Sequence, residues 1–562
     1  MSREETLDVL FHRIAVARGH EPGDLLLKNG CIVNVFSGIV EEKDIIICGD
    51  RIAGVGRYDT AKTTVDLHGA FVLPGLIDGH VHVESSFLIP QCFGRAVLSR
   101  GTTAVVADPH EIANVLGKEG LRFMTEDSLH TDLDIFFMVP SAVPSTAMET
   151  SGAVLDSGAV AEILKESPEF LGLGEMMNAP GVLFGDDDVL KKLTTAEGKV
   201  VDGHFPMAQG RDLAAYCSAG ISSDHECVSL AEAREKLSLG MFIQIREGTS
   251  ARNLEALLPL VDEHNWPNFC FCADDIHAGD LLERGDVLGA VVKAVSLGMP
   301  PVRAVQLATV NPARHYGLKH RGAVAPGYLA DLVIVDNLKD FSVQAVYKNG
   351  KPAVAEGEAA PVALGEVTLP LAPPPFPQIK AGQKARVIRV FPTEIITEEQ
   401  IYTSEELKAH KDLQKLLVME RHGKNGNAAW ALTEGFGLRE GCIAQTIAHD
   451  SHNLIAVTRD EEEAAFAVKT LEEMGGGIVV TKNHEILAKL DLPVAGLMTW
   501  ESAKTVAQKE AALTESAHAL GVTLPRPFMT LSFLALPVIP KLKLTDMGLF
   551  DGSDFSFTNL YF

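Results

Sequence analysis

The sequence predicts an α/β protein organised around a closed (β/α)8 barrel, with a β-sandwich built from flanking segments and a C-terminal α+β region. Three observations carry that reading. Between residues 74 and 324, eight apolar strand-like runs alternate with helix-compatible stretches, and eight β/α units in about 250 residues is the size of a closed barrel. A doubly wound open sheet is the competing architecture. A turn-rich β texture precedes this segment and returns after it, as one sheet interrupted by an insertion would read. A proline-rich break, Ala372-Pro-Pro-Pro-Phe-Pro377, then introduces a third region of mixed strands and helices.

Composition narrows the class. A chain of 562 residues exceeds what one core serves, so roughly two to four domains are expected. Apolar residues at 46% and charged residues at 22% give a globular rather than disordered composition. The net charge of −26 argues against a nucleic-acid backbone or an anionic membrane surface as the main partner. No run reaches the roughly 18 consecutive apolar residues of a membrane span. Met1-Ser-Arg-Glu-Glu-Thr6 lacks a basic stretch followed by an apolar one, so no signal peptide is expected. The eight cysteines are scattered and contain no C-x-x-C, which suits reduced thiols in a cytosol. The expectation is a cytoplasmic protein, and a homodimer.

The elements follow in chain order. Residues 1–73 are expected to hold a lead-in helix over 1–22 and the first part of the sandwich. Leu25-Leu-Leu-Lys-Asn-Gly30, Cys31-Ile-Val-Asn-Val35, Asp44-Ile-Ile-Ile-Cys48 and Gly49-Asp-Arg-Ile-Ala-Gly54 are short β-rich runs joined by Asn-Gly, Ser-Gly and Gly-Asp turns. That pattern predicts a small antiparallel sheet. Its second part is expected over 325–356, in Gly327-Tyr-Leu-Ala-Asp-Leu-Val-Ile-Val335 and Val343-Gln-Ala-Val-Tyr-Lys-Asn-Gly350. The barrel, 74–324, takes strands at 76–82, 104–107, 135–139, 171–175, 200–204, 221–225, 241–245 and 269–274. Residues 357–380 read as a stiff linker. Region 381–562 takes strands at 385–390 and 477–480 and a helix over 460–474.

Polar residues stand at the C-terminal ends of these barrel strands, the face where barrel enzymes gather their catalytic groups. His80 and His82 are spaced i, i+2, so on a strand both imidazoles point to one side. Glu175 closes the fourth strand, His204 the fifth, His225 the sixth and Asp274 the eighth. Singly, each reads as a cap or a surface group. Six at matching ends of separate strands are hard to explain by capping. Four imidazoles and two carboxylates without thiolate suit zinc, iron or manganese, and a bridging carboxylate would hold two such ions close together.

The order Pro74-Gly-Leu-Ile-Asp-Gly-His-Val-His82, Glu175, His204, His225, Asp274 resembles the amidohydrolase superfamily. Further motifs resemble one family within it, the bacterial-type adenine deaminases: Glu84-Ser-Ser86, Asp108-Pro-His-Glu-Ile-Ala-Asn-Val-Leu-Gly117, Gly174-Glu-Met-Met177, Asp202-Gly-His-Phe-Pro206, Ile245-Arg-Glu-Gly248 and Ala273-Asp-Asp275. The third region joins the resemblance through Gly435-Phe-Gly-Leu438, Ile447-Ala-His-Asp-Ser-His-Asn453, Gly475-Gly-Gly477 and Leu492-Pro-Val-Ala-Gly-Leu-Met498. It implies a TIM-like metal-dependent hydrolase barrel carrying two divalent ions, manganese or iron, with zinc also compatible. His80, His82 and Asp274 would hold one ion and His204 and His225 the other, with Glu175 bridging where many relatives carry a modified lysine. Asp275 is the alternative to Asp274.

The implied reaction is hydrolysis of adenine to hypoxanthine and ammonia, with metal-bound hydroxide adding to C6. Asp274 is the first candidate to move the proton, with Glu226 and Glu111 as further catalytic candidates. Glu84, His110, Arg246, Asp275, His449 and His452 are candidate substrate-binding residues. His449 and His452 sit either on a loop over the barrel mouth or in an internal turn, and Phe205, beside His204, is a position that could alter pocket shape. A hydrolase of cyclic amides or another amino-heterocycle is the alternative, and a metal-free scaffold the least favoured. The compact zinc deaminase class fails: His82-Val-Glu84 fits its first half, but P-C-x-x-C is missing.

Overall fold

A computed structural model describes residues 3–249, 251–355, 357–369, 372–392 and 396–562. Its centre is the eight parallel strands Leu76–His82, Thr102–Ala107, Asp134–Val139, Phe170–Met176, Val200–Gly203, Ser223–Asp224, Phe242–Arg246 and Phe269–Cys272. The first five hydrogen-bond in sequence order as one ladder and the last three as another. Two seams join the ladders. Ser222 N–H donates to the Val201 carbonyl at 2.9 Å, and Asp274–Asp275 pairs in parallel with Val81 and His82. The sheet therefore closes, as the repeat of eight requires. Strands buried on both faces are predominantly apolar, and Thr102–Ala107, which runs Ala-Val-Val-Ala from residue 104, is buried at every position.

The sixth strand is shorter than the run 221–225 suggests. Asp224 explains this: its carboxylate accepts the N–H of Phe205 (3.0 Å) and of Glu226 (2.9 Å) and pairs with Lys236 at 2.8 Å. The side chain takes over the backbone donors that a longer ladder would use.

The flanking segments meet in one eight-stranded sheet. Its middle strand, Phe71–Pro74, pairs antiparallel with Leu332–Val335 (Val72 opposite Ile334) and parallel with Gly23–Asn34 (Val72 beside Ile32). The expected small antiparallel sheet is thus larger and partly parallel. The cause lies in Gly23–Asn34, whose pairing with the next strand shifts between Leu27 and Gly30. Its first half lies parallel to Ala61–Asp66 and its second half to Phe71–Pro74. Gly30 sits at the break, where a Cβ would lie 2.9 Å from the end of the Leu67 side chain. The lead-in helix, Arg3–Ala17, is shorter than 1–22 and is tied down where the Tyr58 hydroxyl donates to the Ala17 carbonyl at 3.0 Å.

The third region is a second eight-stranded sheet, from Lys384–Arg389 to Glu485–Asp491, covered by the helix Glu461–Glu473. Asp460 caps that helix by accepting Glu462 N–H at 3.0 Å, and Glu461, Glu462 and Glu463 fill its first turn, where the helix dipole favours anions. The described part of 357–380 does not run free. Thr368 N–H donates to the Arg421 carbonyl (2.9 Å), Trp430 Nε1–H to the Pro374 carbonyl (2.7 Å) and Phe376 N–H to Glu461 (3.0 Å).

This region is seated on the barrel face that carries the strand C-termini. Asp546 accepts both the N–H and the hydroxyl of Thr150, at 2.9 and 2.6 Å, and the Asn453 amide donates to the Thr150 carbonyl at 3.0 Å. Beneath this contact Glu149 is buried, with Ser145 donating to it at 2.8 Å. Burial, together with the charges of Asp450 and Asp546, pushes its carboxyl up from 4.5 to about 8. Between those values folding takes up a proton, so Glu149 costs stability progressively as pH rises through that window. Glu149→Gln removes the titration. The variant is expected to gain stability relative to the parent between pH 5 and 8, by up to about 1.4 kcal/mol per pH unit, read from urea unfolding across that range.

Candidate metal centre

The first barrel strand delivers His80 and His82 to one point, with Nε2 atoms 3.2 Å apart. The His82 Nδ1–H donates to the Asp108 carbonyl at 2.9 Å, which fixes the tautomer and turns the bare Nε2 inward. Asp274 reaches the same point through a left-handed backbone, φ 58°. Its Oδ1 lies 3.0 Å from His82 Nε2 and 3.5 Å from His80 Nε2. Asp275 instead accepts the Ser85 hydroxyl at 2.5 Å.

Glu175 stands between two donor sets. Its Oε1 lies 3.3 Å from His82 Nε2 and 4.0 Å from His80 Nε2, while its Oε2 lies 2.6 Å from His204 Nδ1 and 3.2 Å from His225 Nε2. The strand end that carries it is fixed by Asp108, whose Oδ2 accepts Glu175 N–H at 2.9 Å. Gly174 makes that approach possible, because a Cβ there would meet the same oxygen at 2.1 Å. The His80 and His225 rings stack at 4.3 Å across the floor.

The six residues fit divalent cations. They are buried except for His204, which is partly exposed. Overlapping sets of three bring their donor atoms within 4.8 Å of one another. Burial should push these imidazoles toward neutrality. Yet Asp274 and Glu175 lift His82 well above the ordinary histidine value, and Glu226 and Glu175 lift His204 to about 9. The pocket's own field calls for positive charge, and nitrogen and oxygen donors without thiolate suit manganese, iron or zinc.

Around this floor the structure gathers the other candidates. Arg246 Nη1 donates to Asp274 Oδ2 at 2.8 Å and pairs with Glu226, whose Oε1 lies 3.5 Å from His225 Nε2. Burial raises the Asp274 carboxyl, but Arg246 and the two histidines outweigh it and hold it well below the usual range. His110 spans from Glu175 Oε1 to Glu111 Oε1, 3.4 Å from each. Glu111 also receives His449 Nδ1 at 3.0 Å and His452 Nε2. The run 449–452 is therefore a loop over the barrel mouth. Glu84 accepts Ile112 N–H at 3.1 Å, and burial beside Glu111 pushes its carboxyl up to about 7.

Two adjoining cavities result, with Glu111, His449 and Met529 in the walls of both. The larger opens over the metal-binding floor and the other runs past Glu84, Ser85 and Gln445. Phe205 lines neither: its ring packs on Tyr216, with centroids 5.0 Å apart. Sequence reasoning assigned no role to Asp108, although it lies within a quoted motif. It also missed Phe533, stacked on His449 at 4.5 Å, for which the sequence holds no local signal.

A closed barrel with this donor set at its C-terminal face defines a metal-dependent hydrolase, and residues 71–353 match the family described as amidohydrolase family. Residues 392–556 match the adenine deaminase C-terminal domain. A curated relative named adenine deaminase from Desulfatibacillum aliphaticivorans is 44% identical, covering 98% of this chain and 99% of its own. Relatives of the same name from Dehalococcoides mccartyi (strain CBDB1) and Kosmotoga olearia are 43% and 41% identical, covering 97% and 98% of this chain and 98% of each of theirs. The chain belongs to the adenine deaminase family.

Asp275 also brings a carboxylate oxygen into a cluster with His82 and Asp274, but the Ser85 hydroxyl engages it, while Asp274 faces both imidazoles of the first strand. Asp274→Ala is expected to lose bound metal on dialysis, whereas Asp275→Ala retains the parent's content. Elemental analysis of the two purified variants reads the difference.

Proposed function

We propose that the chain deaminates adenine hydrolytically, giving hypoxanthine and ammonia, with two divalent ions per chain, manganese or iron, and zinc also compatible. The observation that carries the reading is Glu175, whose two carboxylate oxygens face separate sets of imidazoles beneath a cavity roofed by the C-terminal region. His80, His82 and Asp274 would hold one ion and His204 and His225 the other, with Glu175 shared.

When bound, such ions act as Lewis acids that make water nucleophilic at neutral pH. The residues do the rest. Water adds to C6, its oxygen forming the new C–O bond, and the C6–N bond breaks as ammonia leaves. A proton must pass from the water to the departing nitrogen. Asp274 Oδ1, facing the floor and kept ionised by Arg246 on Oδ2, is the first acceptor. Glu226 and Glu111 are further carriers. Glu84, His110, Arg246, Asp275, His449 and His452 supply polar groups to the cavity walls and are the proposed contacts to the purine. Glu84 stands apart among them, because a carboxyl ionising at about 7 can donate as well as accept.

Protein reconstituted with Mn(II) is expected to release ammonia from adenine with two ions per chain, and Glu175→Gln to lower kcat/KM by more than ~100-fold. Two bound ions without adenine turnover would overturn the substrate assignment.

A cytoplasmic homodimer completes the proposal. Among the described residues no helix is long and apolar enough to cross a membrane. In support of pairing, Leu7, Leu10, Phe11 and Ile14 form an exposed stripe on the first helix, Phe11 being 69% exposed. Phe11→Glu should halve the mass seen by sedimentation.

A further inference from the structure

One buried cation has no part in the reading above. Arg421 follows the strand Gln414–Met419 and is the bulkiest of the wholly buried side chains. Its partners are carbonyls. Nε–H donates to the His452 carbonyl and Nη2–H to that of Ala495 at 2.9 Å, while Nη1 is buried without a hydrogen-bond partner. Gly496, at φ +69°, makes the room, since a Cβ would lie 2.9 Å from Nη1. His422 repeats the attachment, its Nε2–H donating to the Ser451 carbonyl at 2.8 Å. Glu420 fixes both by accepting the N–H groups of His422, Lys424, Asn425 and Gly426. Carbonyls are the hydrogen-bond partners of Arg421, and the buried Glu420 carboxylate offsets only part of the cost of burial, which still lowers the guanidinium pKa, so its placement calls for a reason beyond packing.

What these anchors hold is the loop bearing His449 and His452. Other ties are His449 N–H to the Ser532 carbonyl at 3.2 Å, the Phe533 ring stacked on His449, and the Asn453 amide to Thr150 at 3.0 Å and to Asp546 at 3.4 Å. Glu111 belongs to the helix His110–Leu116 on the barrel, so no local chain connection sets its distance from the two imidazoles.

We propose that Arg421 is a positioning residue for the reaction: by fixing the His452 carbonyl it sets His449 and His452 against Glu111, and so shapes the wall between the two cavities. The inference rests on that wall contacting the substrate, as in the proposed function. Arg421 lines neither cavity and acts through the loop. Burial lowers its guanidinium to about 9, leaving it cationic at neutral pH. Burial, helped by His449 and Arg421, also holds His452 down to about 4, so that it meets Glu111 as a neutral donor. Lysine cannot replace the fork, because one ammonium does not span both carbonyls in the same geometry.

The test is a double-mutant cycle on the full, Mn(II)-loaded chain. Arg421→Lys and His452→Ala are each expected to lower kcat/KM for adenine at least about tenfold, with KM rising more than kcat falls and metal content unchanged. The double variant should match His452→Ala within twofold. Losses that multiply, or an Arg421→Lys protein with a lower melting temperature but unchanged kcat/KM, overturn the proposal. If Arg421→Lys does not fold, His422→Leu enters the same cycle with the same expectation. If the parent does not turn over adenine, the proposed function fails instead. The clamp is then read by amide hydrogen exchange, which must quicken in residues 449–453 of the variant and not in the barrel strands; unchanged exchange there overturns it.

Discussion

The structure depends on one buried anion. Glu175 is enclosed by five imidazoles, those of His80, His82, His110, His204 and His225, with a second carboxylate, Asp274, on the far side of His82. Removing such charges from water costs several kcal/mol each unless opposite charge compensates them. Protonated histidines supply only part of that compensation, since their nitrogen lone pairs are wanted facing inward. The donor geometry is therefore incomplete without cations, and the barrel is the scaffold that keeps it so. Strand ends, the Asp108 brace and the left-handed turn at Asp274 bring the donors to one place from separate directions.

The second constraint is that the barrel supplies a floor without a complete enclosure. Glu111 faces upward from the barrel to His449 and His452 of the C-terminal region, and Glu84 lines one cavity together with Gln445 of that region. Two separately folded layers thus share one polar wall. Their contact is fastened by hydrogen bonds such as Thr150 to Asp546 rather than by apolar packing alone. Polar fastening specifies alignment, because a misplaced donor leaves a buried carboxylate unsatisfied. That matters more to a site assembled from both layers than tightness does.

Much of this was legible in the sequence, for reasons that particular residues make plain. The barrel announces itself because a doubly buried strand reads as a near-continuous apolar run, as at residues 104–107, and because eight such runs recur. His80 and His82 are readable because a strand repeats every two residues. Asp274 and Asp275 are not separable in the sequence: both are aspartates at a strand end, and only the backbone twist at Asp274 decides which carboxylate turns inward. The parallel pairings of Gly23–Asn34 were hidden in a break of register, which composition does not encode. Arg421 and Phe533 were invisible for a different cause. A charged residue after a strand and an aromatic in an apolar run have many ordinary fates, and only the tertiary contact with the His449 loop distinguishes these two.

The sheet that fastens the barrel has a consequence for synthesis. Phe71–Pro74 leads through Gly75 alone into the strand bearing His80 and His82, and it is completed by Leu332–Val335. A ribosome releases Phe71–Pro74 long before it releases its antiparallel partner, Leu332–Val335. Between those moments Phe71–Pro74 lacks that antiparallel neighbour, and pairings this distant are slow to form. The sheet strand that leads into the first pair of histidines is therefore completed only after all six donor residues, His80 to Asp274, have been made.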